Sequence, residues 1–235
     1  MISKPFLSII TTTYQNEKHT KDLIEEIYKD IVNKIPQKTE VIVYDGGSQD
    51  KTQEILKKIQ KKYPFRLKIS PKRDRYTPSI KKLYQMASGQ LIFYLDSDGE
   101  CPPKEFWKLY QKFQETKADI INGARSHRKP LYRLLISRTN YLLINLLFGL
   151  KTVDSNCGFK LTKKKVIGKI IPNWGKLRYN PNTEYLILAH KAGLKINQAV
   201  ILHRQRESVV SPSNKILRQI FEAFLELIDY KLQSK

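Results

Sequence analysis

The chain is short of cysteine, of acidic residues and of long apolar runs, and each shortage closes off a class of function. Cys101 and Cys157 are the two cysteines. One pair gives neither a disulfide framework nor the spacing of a structural zinc site, and it fits a reducing compartment. Asp and Glu number 22 against 43 Lys and Arg, a net charge of +21. An anionic partner is therefore expected: nucleotide, nucleic acid or anionic lipid. The lysines are scattered at helix-compatible intervals and form no nucleic-acid recognition motif, so nucleic acid is set aside as a partner. The opening residues carry no apolar core ending in small residues, and nothing resembles a signal peptide. The longest apolar stretch, residues 141–150, is interrupted by Asn145 and reaches about half of the ~20 residues a spanning helix needs. No internal repeat or low-complexity segment is present.

What remains is a chain of 235 residues with 40% hydrophobic content, enough for one large α/β core. A β-branched run at residues 6–13 reads as a buried strand, and Leu23, Ile24, Ile27, Tyr28 and Ile31 follow at helical spacing. The alternation continues with strands at 40–44, 66–70 and 90–95, and with helices around Leu56, around Leu83 and from Phe106 to Phe113. A further strand is expected at 119–123, a helix at 182–192, a strand at 194–203 and an amphipathic helix carrying Ile216, Ile220, Phe224 and Ile228. Such alternation implies a mainly parallel sheet flanked by helices, with ligands at the carboxyl ends of the strands. The loops after Thr13, Tyr44 and Leu95 should then line one crevice.

Those loops carry the chemistry. Asp96-Ser97-Asp98 follows a buried strand, with Glu100 two residues on. Carboxylates one residue apart at a strand end can turn toward one hard cation, which would stabilise a diphosphate leaving group. An Asp-x-Asp also occurs in plain turns. Asp45-Gly46-Gly47-Ser48 ends a second strand; glycines allow close approach to a ligand and Asp45 can accept hydrogen bonds from a base or ribose, although Ser48 or Asp50 capping the next helix is the alternative.

Together these segments resemble family 2 glycosyltransferases. The run from Ser8 through Tyr14 to Glu17 is similar to that family's first strand and Pro-x-Tyr-Asn-x-Glu loop. The run from Val41 to Thr52 is similar to its Val-Asp-Asp-Gly-Ser-x-Asp-Gly-Thr segment, and the run from Ser88 to Glu100 leads into its Asp-x-Asp motif. The second half is similar to the polyprenyl-phosphate (dolichyl-phosphate mannosyltransferase-like) branch: Gly123-Ala-Arg125, Arg133-Leu-Leu-Ile-Ser-Arg138 and Asp154-Ser-Asn-Cys-Gly-Phe-Lys160 stand for Gly-Ser-Arg, Arg-x-Leu-Ile-Ser-Arg and Asp-x-x-Ser-Gly-Phe-Arg. Thr12, Gln15 and Gly46 depart from the usual pattern, and the segment Arg73-Asp-Arg75-Tyr-Thr-Pro78 lacks the expected Asn-x-Gly.

The resemblance implies a GT-A (Rossmann-like) α/β fold, with a catalytic domain over residues 1–205 and a loop and amphipathic helix over 206–235. Residues 1–100 would hold the sugar nucleotide and metal, and 101–205 the acceptor. It implies a nucleoside-diphosphate sugar, UDP- or GDP-linked, against Thr12, Tyr14, Glu17, Asp45, Gly46, Asp96 and Ser97. Mg2+ or Mn2+ would sit at Asp96 and Asp98, with Glu100 as a third candidate ligand. Arg125, Arg138 and Arg206, with His203 and Arg204 nearby, are the candidate cations for phosphate, since guanidinium binds it bidentately. Where many members place a Glu-Asp pair, this chain has Asn182-Thr-Glu184-Tyr185. A phosphate acceptor needs no general base, whereas a hydroxyl acceptor would need Glu184 or Asp154.

The expected activity is inverting transfer of the sugar to a lipid-linked phosphate by a cytoplasmic protein peripheral on the inner membrane face. The alternative is transfer to a saccharide hydroxyl. Leu134, Leu135, Tyr141, Leu142, Leu143, Leu146, Leu147 and Phe148, flanked by Arg128, Lys129, Arg133 and Arg138, supply the apolar and cationic groups of an interfacial helix on an anionic membrane. A buried helix, or a homodimer interface, would use the same apolar residues.

Overall fold

A computed structural model describes residues 4–126, 131–204 and 214–233, with side chains described outside 131–137, 214–217 and 220. Its elements are β1 (Leu7–Thr13), α1 (Glu17–Ile27), β2 (Thr39–Asp45), α2 (Thr52–Gln60), β3 (Arg66–Ile69), α3 (Tyr76–Met86), β4 (Leu91–Leu95), α4 (Phe106–Thr116), β5 (Ile120–Arg125), α5 (Leu131–Phe148), β6 (Phe159–Lys163), α6 (Ile167–Ile170), α7 (Pro181–Lys191), β7 (Ile196–Ile201) and α8 (Asn214–Leu232). They build one seven-stranded sheet in the order β3-β2-β1-β4-β6-β5-β7.

Every residue of β1 and β4 is buried, which is why both segments read as continuous apolar or β-branched runs rather than as alternating ones. Successive side chains point to opposite faces of a strand. Ile9 and Phe93 thus join Leu23, Ile27, Val43 and Phe106 in one core, while Ile10 and Tyr94 join Ile42, Ile80, Leu83 and Leu186 in the other. Strands β3, β2, β1 and β4 are parallel. From β1 the chain steps outward to β2 and β3, then crosses to β4 on the far side. This reversal opens a crevice at the carboxyl ends of β1 and β4.

The α/β architecture matches the sequence reading, with one strand and the short helix α6 added. Strand β6 runs antiparallel between β4 and β5. Its Phe159-Lys-Leu-Thr-Lys pattern looks half-exposed, yet Lys160 and Thr162 are 1% and 0% exposed, so alternation did not report its burial. Helix α8 is no loose appendage: Leu227 and Tyr230 are buried in the second core, with the Tyr230 ring 6.1 Å from that of Phe148 on α5.

Candidate active site

The three motif loops do converge. They line a crevice of about 1160 Å³ through Thr12, Thr13, Tyr14, Gly46 and residues 96–98, joined by segments 73–79 and 175–182. The loops are laced together by hydrogen bonds. The Gln15 amide donates to Ser48 Oγ at 2.9 Å, the Asn16 amide to Thr52 Oγ1 at 2.9 Å, and Asn16 Nδ2 to the Ser97 carbonyl at 2.6 Å. Gly47, at φ +85°, passes so close to segment 71–75 that an added Cβ would lie 2.6 Å from the Lys72 carbonyl oxygen; only glycine fits there.

Within this frame Asp45 does something other than face a base. It is fully buried. Its Oδ1 accepts from the Gly47 and Ser48 amides and from Gln53 Nε2, and its Oδ2 from Ser48 Oγ. A carboxylate held by these donors shapes the glycine loop, and Asp45 itself is not among the residues that line the crevice. Glu17 is exposed and accepts from the Lys51 amide, outside the crevice lining. Thr12 Oγ1 donates to the Tyr44 carbonyl at 3.3 Å. Its neighbour Thr13, not singled out by any motif, lines the crevice with a buried Oγ1 that has no hydrogen-bond partner among the described groups. Buried polar atoms are rarely left unpaired, so Thr13 is a candidate ligand contact. Tyr14 lies on the wall beneath the Arg73 guanidinium, 5.1 Å from its ring centroid.

Asp96 and Asp98 both line the crevice. Asp96 Oδ1 accepts from the hydroxyls of Tyr76, at 2.7 Å, and Tyr94. Its Oδ2 packs over Gly158, where an added Cβ would come within 1.7 Å. Burial raises the Asp96 carboxyl above the ordinary range, against the lowering effect of the two phenols and of nearby Lys160 and Arg125. Asp98 Oδ1 accepts from the Glu100 amide at 2.9 Å. Two hard oxygen-donor side chains at the floor of an open crevice suit Mg2+ or Mn2+, which commonly take one or two carboxylates and complete their shell with substrate phosphate and water. Glu100 sits 3.0 Å from His203 Nε2, and no cluster of three or more metal-binding side chains occurs among the described residues.

Neither candidate base reaches the crevice. Glu184 is 0% exposed; its two oxygens accept the amides of Gly175, Lys176 and Leu177, each at 3.0 Å. Asp154 makes a two-pronged ion pair with Arg125, at 2.7 and 3.0 Å. The Arg125 guanidinium is thus engaged by a carboxylate, outside the crevice lining. Arg138 is exposed on α5 away from the crevice lining, and Arg206 lies outside the described residues. The cations that do line the crevice are Arg73, Arg75, Lys176 and Arg178. None is joined to a carboxylate at salt-bridge distance among the described residues.

The segment bearing Lys176 and Arg178 is held from two sides. Glu184 fixes its first three amides, and Glu226 of α8 accepts the amides of Arg178 and Tyr179, while Asn180 Nδ2 donates to the Ala223 carbonyl. Helix α8 is thus tied directly to the crevice wall.

The sequence profile of glycosyl transferase family 2 matches residues 8–171. Two curated relatives are a dolichyl-phosphate beta-glucosyltransferase of Trichomonas vaginalis, 25% identical over 82% of this chain and 64% of its own length, and an undecaprenyl-phosphate 4-deoxy-4-formamido-L-arabinose transferase of Pectobacterium atrosepticum, 24% identical over 86% and 60%. The chain therefore spans about three fifths of these proteins. A similar solved structure is glucosyl-3-phosphoglycerate synthase from Mycobacterium tuberculosis, in complex with Mn2+, uridine diphosphate and glucosyl-3-phosphoglycerate. It superposes with a TM-score of 0.70 at 16% identity, covering 96% of this chain and 79% of that one. With the profile running from β1 into the turn after α6, and with the crevice built by its loops, the chain belongs to glycosyl transferase family 2.

Proposed function

We propose that the chain transfers a sugar from a nucleoside diphosphate to a polyprenyl phosphate at a membrane surface. One observation carries this reading: among the described residues, the crevice lining offers cations without a carboxylate partner and no uncommitted base. Glu184 and Asp154 are engaged elsewhere, and the crevice-lining Asp74 is held by Lys82 and by the Tyr44 hydroxyl. A hydroxyl acceptor must lose a proton as it attacks, whereas a phosphate is already an anion at neutral pH. Arg73, Arg75, Lys176 and Arg178 would receive the donor diphosphate and the acceptor phosphate. Asp96 and Asp98 would hold Mg2+ or Mn2+, which when bound screens the diphosphate and stabilises it as it leaves. Helix α3 starts at the crevice without a side-chain cap, and its first amides add to the attraction for phosphate. The two relatives described above, each a transferase named for a polyprenyl phosphate, support the acceptor class. Acceptor choice tests the reading: a polyprenyl phosphate should take the sugar and the matching polyprenol should not.

The membrane half rests on α5 and α8. Ile144 and Phe148 face the core, whereas Leu142 and Leu146 are 63% and 83% exposed, with Phe221 at 63% and Leu232 at 61%. Among the described residues no helix is long and apolar enough to cross a membrane, so contact would be interfacial, on the anionic inner leaflet. Anionic vesicles should sediment the protein at low salt, and neutral vesicles should do so less. Leu142→Ser with Leu146→Ser should release it while leaving the melting temperature within a few degrees, because neither side chain is buried. Unchanged sedimentation of that double variant, or scattering that shows a dimer covering this surface, would refute the interfacial contact.

A further inference from the structure

From buried Lys160 a file of hydrogen bonds leads to Asp96 at the crevice floor, joined at Tyr76 by the Tyr94 hydroxyl. Lys160 Nζ donates to Asn182 Oδ1 at 3.1 Å, Asn182 Nδ2 donates to the Tyr76 hydroxyl oxygen at 3.1 Å, and the Tyr76 hydroxyl donates to Asp96 Oδ1 at 2.7 Å. The four residues come from β6, α7, α3 and the end of β4, so the file joins four separate elements. Lys160 and Asn182 are 1% and 5% exposed. Lys160 also donates to the Cys157 carbonyl, the residue before the glycine that underlies Asp96.

We infer that Lys160, Asn182 and Tyr76 are positioning residues that fix the orientation of the Asp96 carboxylate toward a divalent cation held with the donor diphosphate. The inference rests on the function proposed above and adds residues that its chemistry does not name. The physical reason is polarity. An ammonium has donors and no acceptor, so the buried Lys160 forces the Asn182 amide to turn its oxygen toward β6 and its NH2 toward Tyr76. The Tyr76 oxygen then accepts hydrogen bonds from Asn182 and from the Tyr94 hydroxyl, and its own hydrogen goes to Asp96. Charge at one end thereby sets the direction of every bond in the file, and such chains reinforce one another at low dielectric. Burial lowers the Lys160 pKa, and its Nζ keeps two oxygen acceptors, the Cys157 carbonyl and Asn182 Oδ1. With Oδ1 held by phenols and Oδ2 pressed over Gly158, the carboxylate has one orientation. Outer-shell groups of this kind commonly govern metal affinity.

Titration of Mn2+ into the protein with saturating UDP, and separately GDP, followed by electron paramagnetic resonance, reads the effect without any turnover. Tyr76→Phe and Lys160→Met should each weaken Mn2+ binding about tenfold. Lys160→Arg, which also presents only donors, should keep most of the affinity. A purely structural role would not give that rescue. If Lys160→Met does not fold by circular dichroism, Tyr76→Phe decides alone, since it removes one hydroxyl from a ring already 39% exposed. Wild-type affinity in a folded Tyr76→Phe overturns the inference. A wild-type protein that binds no Mn2+ with either nucleotide overturns instead the function on which it stands.

Discussion

Asp98→Asn should reduce sugar transfer at least ~10³-fold, because a ligand that helps a cation carry the leaving diphosphate is worth several kcal/mol in the transition state. The fold should be spared. The Glu100 amide donates to Asp98 Oδ1, and an asparagine carbonyl can accept that bond equally well. Initial rates with saturating donor and Mn2+, beside thermal melts of both proteins, separate the two effects. Activity within tenfold of wild type, or full activity in EDTA, would take the metal out of the mechanism. A drop in melting temperature as large as the drop in rate would assign Asp98 a structural role instead.

The second large effect concerns stability. Glu184→Ala should destabilise the protein by ~3 kcal/mol, since it strips a buried charged acceptor from three amides at once. Burial outweighs those three amides and raises the Glu184 carboxyl above the ordinary range. A group whose folded pKa is raised contributes stability below its unfolded pKa and loses it as pH climbs through the folded value. Wild type should therefore shed some stability as pH rises out of the ordinary carboxylate range, and Glu184→Gln should lack that slope. Chemical denaturation across this range checks it. Were Glu184 the base of a hydroxyl transfer, Glu184→Gln would leave stability alone and remove the acidic limb of the pH-rate profile, which would contradict the structural assignment.

How far these features could be read in advance depended on the range of the interactions that make them. The three loops were legible because each is a local run, strand then turn then helix, and parallel topology alone brings strand ends together. The partners of charged residues were not. Arg125 and Asp154 are 29 residues apart, and Glu184 meets amides presented by a loop that no periodicity reveals. Thr12 and Thr13 could not be told apart, because a strand buried on both faces gives no alternation. Segment 73–78 stood out only as a departure from the family pattern, yet it supplies Arg73, Arg75 and Tyr76 to the crevice. Lys160 hid β6 for a related reason: a lysine reads as exposed unless the structure shows what its ammonium holds.

Acceptor discrimination tests the central claim most directly. With Mn2+ and a radiolabelled UDP- or GDP-sugar, wild-type protein should label a short-chain polyprenyl phosphate and leave the matching polyprenol unlabelled, and Lys176→Ala with Arg178→Ala should raise the KM for the phosphate more than it lowers kcat. Equal labelling of phosphate and alcohol, or labelling of a saccharide acceptor with the phosphate left untouched, would contradict transfer to a phosphate.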